Sequence, residues 1–306
     1  MTHPPFRGYN IPLYTGELCL SLAFIPTVSA LFYICVKQKN LHVNFRIMLF
    51  TTSLGYMAYD LARIILIIFL MSNSYTENLE TAIIWKMSPY VHMTSNAFYT
   101  FSWLFLIVER AIASVFVDVY EKRFAGFIVP LLSIIAVSSI TAAVIVIRFS
   151  GTAKHFDGYL VGLEIGIVLS SLAALIIIII FNKSSYRKRH NSRMHLTNRY
   201  QLDENIRIGK YLMPVALNQV LVEIMSTSLS AYAIFFAEIS PTEVGTFVYQ
   251  AYCQIFLYQR LFFVMVLVLR SEKFNRFIKR GNRTAPIVVK QAAAASNYYN
   301  ELKHMW

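Results

Sequence analysis

The sequence predicts an all-α integral membrane protein, a bundle of seven transmembrane helices. Of its 306 residues, 57% are hydrophobic and only 14% are charged, and the mean hydropathy is +0.52. Soluble domains carry about 25% charged residues. Seven apolar stretches are long enough to cross a bilayer, and Lys and Arg concentrate between alternate stretches. These properties exclude a soluble enzyme, a disordered chain and a nucleic-acid-binding domain.

The apolar stretches give the spans in chain order. A helix needs roughly 20 apolar residues to cross about 30 Å of hydrocarbon. The first stretch is too long for a signal peptide, whose apolar core is roughly 7–15 residues, so we expect it to remain as a span. Together the spans form a transmembrane domain over 1–270. The predicted spans are 13–36, 47–70, 88–110, 124–147, 161–181, 211–237 and 247–269.

The basic residues predict the orientation. Of the 28 Lys and Arg, 22 lie in the connections and tail on one side of the seven spans, and four lie on the other side. Segments 182–211 and 270–306 each hold eight of them against two acids. Connections rich in Lys and Arg stay in the cytoplasm. We therefore expect the N-terminus outside the cell and the C-terminus inside.

The basic tail, 271–306, contains one readable element. Phe274, Phe277 and Ile278 follow helical spacing, basic residues take the opposite face, and Gly281 is a typical helix stop. This pattern predicts a short amphipathic helix over 271–281 that lies on the inner membrane surface. The alternative is a continuation of the seventh span.

No pattern in the sequence points to catalysis, a metal or a cofactor. Cys19, Cys35 and Cys253 all lie inside apolar runs, so we expect buried free thiols and no disulfide framework. The seven histidines lack metal-ligand spacing, and there is no Gly-rich phosphate loop. The sequence therefore predicts no enzyme activity, no metal site and no cofactor.

Four charged residues lie near the middle of predicted spans, where an unpaired charge costs several kcal/mol. They are Asp60, Arg63, Glu223 and Arg260. Two acids and two bases can neutralise one another, either as Asp60–Arg63 and Glu223–Arg260 or with partners exchanged, as in Asp60–Arg260. The set predicts a buried ionic network, a conformational lock that a ligand rearranges, or an ion path.

Polar and aromatic side chains collect nearer the predicted outer side. An apolar cavity with a few placed polar groups is typical of a small-molecule site between helices. Membrane-interface aromatics and interhelical hydrogen bonds use the same residue types. The candidate ligand-binding residues are Tyr90, His92, Asn96, Tyr99, Trp103, Glu164, Tyr232, Tyr249, Gln250 and Gln254.

At the predicted inner side, the third span ends in LIVERAIASVFVDVYEKRF, residues 106–124. Glu109 and Arg110 form a charge pair at the membrane boundary, where we expect shallow burial. Segment 182–211 joins the fifth and sixth spans as a basic, soluble, partly helical link.

Two of these stretches carry a family resemblance. The runs ERAIASVFVDVYEKR and NRYQLDENIRIGKYL, in a seven-span chain, resemble the nematode serpentine receptors of class epsilon, which are chemosensory G-protein-coupled receptors. The resemblance covers the whole chain. It implies a multi-pass protein of the plasma membrane of sensory neurons, with a small-molecule ligand and a heterotrimeric G protein as partners besides membrane lipid.

The resemblance also implies a coupling surface around Arg110. The residues it assigns there are Glu109, Arg110, Tyr120, Glu121, Arg187, Lys188, Arg189, Arg207 and Lys210. The alternative function is a transporter or a ligand-gated channel subunit. That alternative would be marked by internal repeats or Gly/Pro-broken spans in matching positions, and the sequence has neither.

Overall fold

Seven long α-helices make up most of the described part of the chain in this computed structural model. The structure describes residues 10–37, 42–72, 83–117, 120, 128–150, 156–190, 196–238, 244 and 246–271. The helices are α1 (Asn10–Lys37), α2 (Val43–Ser72), α3 (Ile83–Val115), α4 (Ile128–Ser150), α5 (Phe156–His190), α6 (Leu196–Phe235) and α7 (Phe247–Arg270).

Every one of these helices is long and apolar enough to cross a membrane, and the described residues contain no strand. The predicted fold class, a seven-helix membrane bundle, is confirmed. The helices coincide with the predicted spans, but most of them extend further into polar sequence. Charged residues end an apolar window without ending a helix, because Lys, Arg, Glu and Gln are good helix formers.

The largest difference lies between the fifth and sixth spans. Helix α5 continues to His190 and α6 already begins at Leu196, so most of the predicted link 182–211 is helical. This segment contains no Pro and a single Gly, Gly209, and therefore has little to stop a helix. The extension places the start of α6 beside the predicted inner end of α3.

Helices α3 and α7 are the most buried of the seven, and α4 is the least. One apolar cluster joins α3, α4 and α5, with Phe101, Val137 and Ile167 among its buried members. Large apolar side chains such as Leu132 and Ile177 are exposed on the outer surface of the bundle, where lipid would cover them.

Two glycines allow neighbouring helices to approach closely. A Cβ atom on Gly55 would lie 2.4 Å from Cε1 of Phe98, across the α2–α3 contact. A Cβ atom on Gly209 would lie 2.6 Å from Cγ1 of Ile179, across the α5–α6 contact. Small residues of this kind are how membrane helices pack without a hydrophobic driving force.

The cysteines partly follow the sequence prediction. Cys35 and Cys253 are buried free thiols, but Cys19 is exposed, so the prediction of burial is wrong for Cys19. An apolar run shows that a residue is in a span but not which way it faces, and Cys19 faces outward. The predicted amphipathic helix over 271–281 lies outside the described residues after Ser271.

Candidate functional site

A buried ion pair joins α1 and α2 in the predicted outer half of the bundle. Nε of Arg63 donates to Oε1 of Glu17 at 2.6 Å, and Nη2 donates to Oε2 at 3.1 Å. Nη1 of Arg63 also donates to Oγ of Ser88 on α3 at 2.9 Å. The predicted Asp60–Arg63 pair is therefore wrong. Glu17 was missed, although it is the single acidic residue of α1 and so carried a readable signal.

Helix α7 completes this outer network. Oε1 of Gln250 accepts from Arg63 at 3.3 Å, and Nε2 of Gln250 donates to the Tyr14 hydroxyl at 2.8 Å. The Tyr249 hydroxyl bonds to Oγ of Ser88 at 2.9 Å, and Nε2 of Gln254 donates to a backbone carbonyl of α1 at 2.6 Å. The three predicted ligand-binding residues of α7 thus hold helices together in the unliganded bundle.

Arg260 and Asp60 lie deeper, near the middle of the bundle. The guanidinium of Arg260 stacks over the Tyr59 ring, 4.0 Å from its centroid. Its Nη1 and Nη2 atoms have no hydrogen-bond partner among the described residues. The Asp60 carboxyl lies beside the hydroxyl of Ser21 on α1. Arg260 nevertheless attracts Asp60 electrostatically. Of the alternatives that the sequence left open, the structure brings Arg260 within electrostatic range of Asp60, but neither Asp60 nor Glu223 forms an ion pair with it.

Two predicted ligand-binding residues of α3 lie against or near α7. The hydroxyl of Tyr99 and Nε1 of Trp103 are buried and have no hydrogen-bond partner within the described part of the chain. Tyr99 lies within electrostatic range of Arg260, and Trp103 packs edge-on against Phe263, at a centroid distance of 6.4 Å. The middle of the bundle therefore holds several polar groups that the protein itself does not satisfy.

His92 lies one to two helical turns above this centre. Its Nδ1 atom is 3.2 Å from the Tyr59 hydroxyl and 3.6 Å from Sγ of Cys253. Of the other two aromatic candidates, Tyr90 is partly buried, whereas Tyr232 is 55% exposed and stacks on Phe236. Tyr232 thus lies on the surface of the bundle and does not join the interior residues.

A second polar group spans α3, α5 and α6. Nδ2 of Asn96 donates to both carboxylate oxygens of Glu164 at 3.0 Å. Glu164 is only 7% exposed, and the partly buried Glu223 repels it electrostatically. The sequence placed Glu223 in a charge network with Arg260, but the structure brings it to Glu164 instead. The carboxyl groups of Glu164 on α5 and Glu223 on α6 therefore lie within electrostatic range of each other.

A third, denser network surrounds Arg110 at the predicted inner side. Nε of Arg110 donates to Oε2 of Glu109 at 2.5 Å, and Nη2 forms a second bond to the same carboxylate. Nη1 donates to Oδ1 of Asn205 on α6 at 3.2 Å, and the guanidinium lies 4.7 Å from the centroid of the Phe45 ring. Arg110 is 2% exposed, so the expected shallow burial is wrong. The polar extension of α6 is what covers it.

Tyr120 closes the network from the connection after α3. Its hydroxyl donates to Oε1 of Glu109 and accepts from Nδ2 of Asn44 on α2 at 3.1 Å. Burial, and next the neighbouring Glu109, raise the pKa of Tyr120 above its usual value, so its phenol stays protonated and remains a donor.

Helices α5 and α6 are tied to the same end of α3. Nδ2 of Asn182 donates to Oγ of Ser114 at 2.8 Å, and Nδ2 of Asn205 donates to a backbone carbonyl of α3 at 3.2 Å. Oε1 of Glu204 accepts from the backbone N–H of His42 at 2.5 Å. Sequence analysis missed Asn182 and Asn205, because a single Asn in a helix carries no pattern.

Three of the other predicted coupling residues have side chains that the structure describes. Arg187 and Lys210 are exposed and Arg207 is partly buried. Glu121 and the side chains of Lys188 and Arg189 lie outside the described residues.

A comparison with known proteins identifies the family to which the chain belongs. The sequence profile of the family described as serpentine type 7TM GPCR receptor class ab chemoreceptor matches residues 13–306. A search of the curated proteins finds no relative of this chain. The expected likeness to serpentine chemoreceptors is confirmed, but the match is to class ab and does not support class epsilon.

Proposed function

The chain belongs to the serpentine class ab chemoreceptors, and we propose that its buried Arg110 network is the switch by which it activates a heterotrimeric G protein. Membership makes it a chemosensory seven-transmembrane receptor. We further propose that the protein lies in the plasma membrane of sensory neurons with its N-terminus outside the cell, and that it has no enzyme activity.

The hydrogen bond between Arg110 and Asn205 carries the proposal. It joins the end of α3 to the start of α6, and Asn205 also holds a backbone carbonyl of α3. Glu109 neutralises Arg110 within this arrangement, and Tyr120 in turn donates to Glu109. The Arg110–Asn205 bond would break if α6 moved away from α3, whereas the Arg110–Glu109 pair lies within α3 and would remain. Such an element would have two discrete arrangements, which is what a switch requires.

A ligand would act on this switch from the other end of the bundle. It must bind one helix arrangement better than the other, and it then shifts the population towards that arrangement. Asn96 and Glu164 join α3 to α5 on the predicted outer side, and Glu223 brings α6 to them. A ligand bound among these side chains would bias α6, the same helix that carries Asn205.

Release of α6 would expose Arg110 to the cytosol. Arg187 and Lys210 are already exposed on α5 and α6, and they would flank the opening with positive charge. A guanidinium can bond to carbonyl or carboxylate groups of a partner, which suits contact with a G-protein segment.

The proposal is tested with Asn205→Ala in cells, with basal G-protein activation measured per receptor at the surface. The change removes the α6 side of the tether, so basal activation should rise several-fold. Asn218→Ala is the matched control, because Asn218 is also a buried asparagine of α6 but accepts from Tyr258 on α7 at 3.2 Å. It should leave basal activation unchanged.

Adding Arg110→Gln to Asn205→Ala should return activation to the background. An Asn205→Ala receptor at normal surface density without raised basal activation would contradict the proposed switch. A membrane current recorded in the same cells separates this mechanism from a ligand-gated channel, which would conduct without a G protein.

A further inference from the structure

We propose that Glu164 and Glu223, together with polar side chains one to two helical turns deeper, form a binding site for a small organic cation with a protonated amine. This inference rests on the receptor function proposed above and specifies the chemical class of its ligand.

The balance of charge inside the bundle is the first argument. Glu17 is neutralised by Arg63, and Asp60 is attracted by Arg260. Neither Glu164 nor Glu223 forms an ion pair with any described residue. An uncompensated charge at membrane depth is costly, and two like charges within electrostatic range of each other add repulsion. A cationic ligand would remove both costs.

The hydrogen bonds of Glu164 bring no positive charge to its carboxyl group. Its described partner is Nδ2 of Asn96, a neutral donor that reaches both oxygens at 3.0 Å. This amide fixes the direction of a carboxylate that is 7% exposed. An ordered acceptor of this kind is what a protonated amine needs, because a charge-assisted hydrogen bond is shorter and stronger than a neutral one.

Unsatisfied polar groups beneath the carboxylates are the second, independent observation. Gln219 lies one helical turn from Glu223 on the same face of α6, and it is 1% exposed. Neither its Oε1 nor its Nε2 has a hydrogen-bond partner among the described residues. Buried polar groups are nearly always hydrogen-bonded, so a buried amide without a protein partner can bond to the polar group of a ligand.

The same pattern recurs on the two neighbouring helices. Ser171 lies two turns from Glu164 on the same face of α5, and Trp103 lies two turns from Asn96 on α3. Oγ of Ser171 and Nε1 of Trp103 are also buried and without a partner in the described structure. The cation would bind between the carboxylates, and a polar group at the other end of the ligand would meet these deeper donors and acceptors.

Aromatic rings from α3 and α7 lie beside the carboxylates. Tyr252 is within electrostatic range of both Glu164 and Glu223. It stacks on Phe256 with 5.8 Å between centroids, and His92 lies 5.5 Å from the Phe256 ring. Aromatic faces attract organic cations and also cover their apolar part.

The test measures thermal unfolding of the purified full chain in detergent micelles. Three amines are compared with the alcohols of the same skeleton: n-hexylamine with n-hexanol, 2-phenylethylamine with 2-phenylethanol, and tyramine with tyrosol. At millimolar concentration at least one amine should raise the melting temperature by about 2 °C or more, and its alcohol should not. Equal shifts from amines and alcohols, or no shift from any amine, would overturn the proposal.

Variants locate the effect. The double variant Glu164→Gln with Glu223→Gln should lose the amine shift. Asp203→Asn makes the same chemical change at an exposed position of α6 and should keep it. An amine shift that survives in the double variant would place the cation elsewhere and defeat the assignment.

Gln219→Leu separates a ligand-facing amide from a structural one. If the Gln219 amide bonds to the ligand and to no group of the protein, its removal should raise the melting temperature of the free protein and reduce the amine shift. A lower melting temperature with an unchanged amine shift would show that the Gln219 amide stabilises the protein and does not contact the amine. The Asn205→Ala signalling result is independent of these measurements, so the receptor mechanism stands or fails separately.

Discussion

Arg63 of α2 pairs with Glu17 of α1, with 2.6 Å between Nε and Oε1, and both side chains are almost completely buried. Asp60, only three residues from Arg63 on the same helix, is not its partner. The guanidinium instead faces α1, where it also reaches Ser88 of α3 and Gln250 of α7. One buried cation thus connects four helices, and its removal should affect the assembly of the whole bundle.

Replacing Arg63 should destabilise the protein strongly. Arg63→Met leaves Glu17 buried without a partner, and breaking one member of a buried pair costs about 3–5 kcal/mol. We expect low surface delivery in cells, measured by labelling of an epitope-tagged receptor. Glu17→Gln in the same background should restore part of the delivery, whereas Asp60→Asn should not. Delivery restored by Asp60→Asn but not by Glu17→Gln would show that Arg63 pairs with Asp60.

Arg260 should depend on a different acid. Arg260→Met leaves Asp60 without its nearby positive charge, so folding should be impaired, and Asp60→Asn should restore part of it. Glu223→Gln should have no such effect, because Glu223 lies near Glu164. Surface delivery of the two double variants decides between the partners. Normal delivery of Arg260→Met itself would show that the guanidinium is not held by a buried charge.

Replacing Gly209 with a residue that carries a Cβ atom should destabilise the protein. Gly209→Ala would place Cβ 2.6 Å from Ile179, so α5 and α6 must separate near Asn205, and the melting temperature should fall by several degrees. Gly166→Ala on α5 is the control, because nothing lies within 4 Å of its Cβ position. It should stabilise the helix by up to about 1 kcal/mol. Equal responses of the two variants would contradict the close approach.

The orientation in the membrane remains a prediction from charge, and it can be checked directly. An epitope at the N-terminus should be labelled on intact cells, and one placed after Trp306 should be labelled only after permeabilisation. The 22 Lys and Arg on one side against four on the other are the reason. Labelling of both ends on intact cells would rule out an odd number of spans.

Much of the fold could be predicted from the sequence, because the bilayer imposes a length and a polarity on each span. The predicted spans agree with the seven helices except at their polar ends, where α5 and α6 run on into charged sequence. Those ends could not be predicted from hydropathy, since it measures transfer into lipid and not helix propensity. They matter here, because the extended start of α6 buries Arg110.

The candidate site could be predicted in part. The sequence identified the Glu109–Arg110 pair, which the structure confirms. It named Asn96 and Glu164 only as separate candidates for ligand binding, and the structure shows that they bond to each other. It could not identify Asn205, because that asparagine matters only through the carbonyl and guanidinium that it reaches on α3.

By itself, the sequence determined that the chain has seven membrane-spanning helices and which charged residues lie within them, because both follow from local composition. Only the tertiary structure decided which charges meet. Arg63 pairs with Glu17, Glu223 lies within electrostatic range of Glu164, and the Arg260 guanidinium stacks on the Tyr59 ring. The physical reason is that pairing depends on the rotation of each helix about its own axis. Packing against neighbouring helices sets that rotation, and the sequence of one helix alone does not specify it.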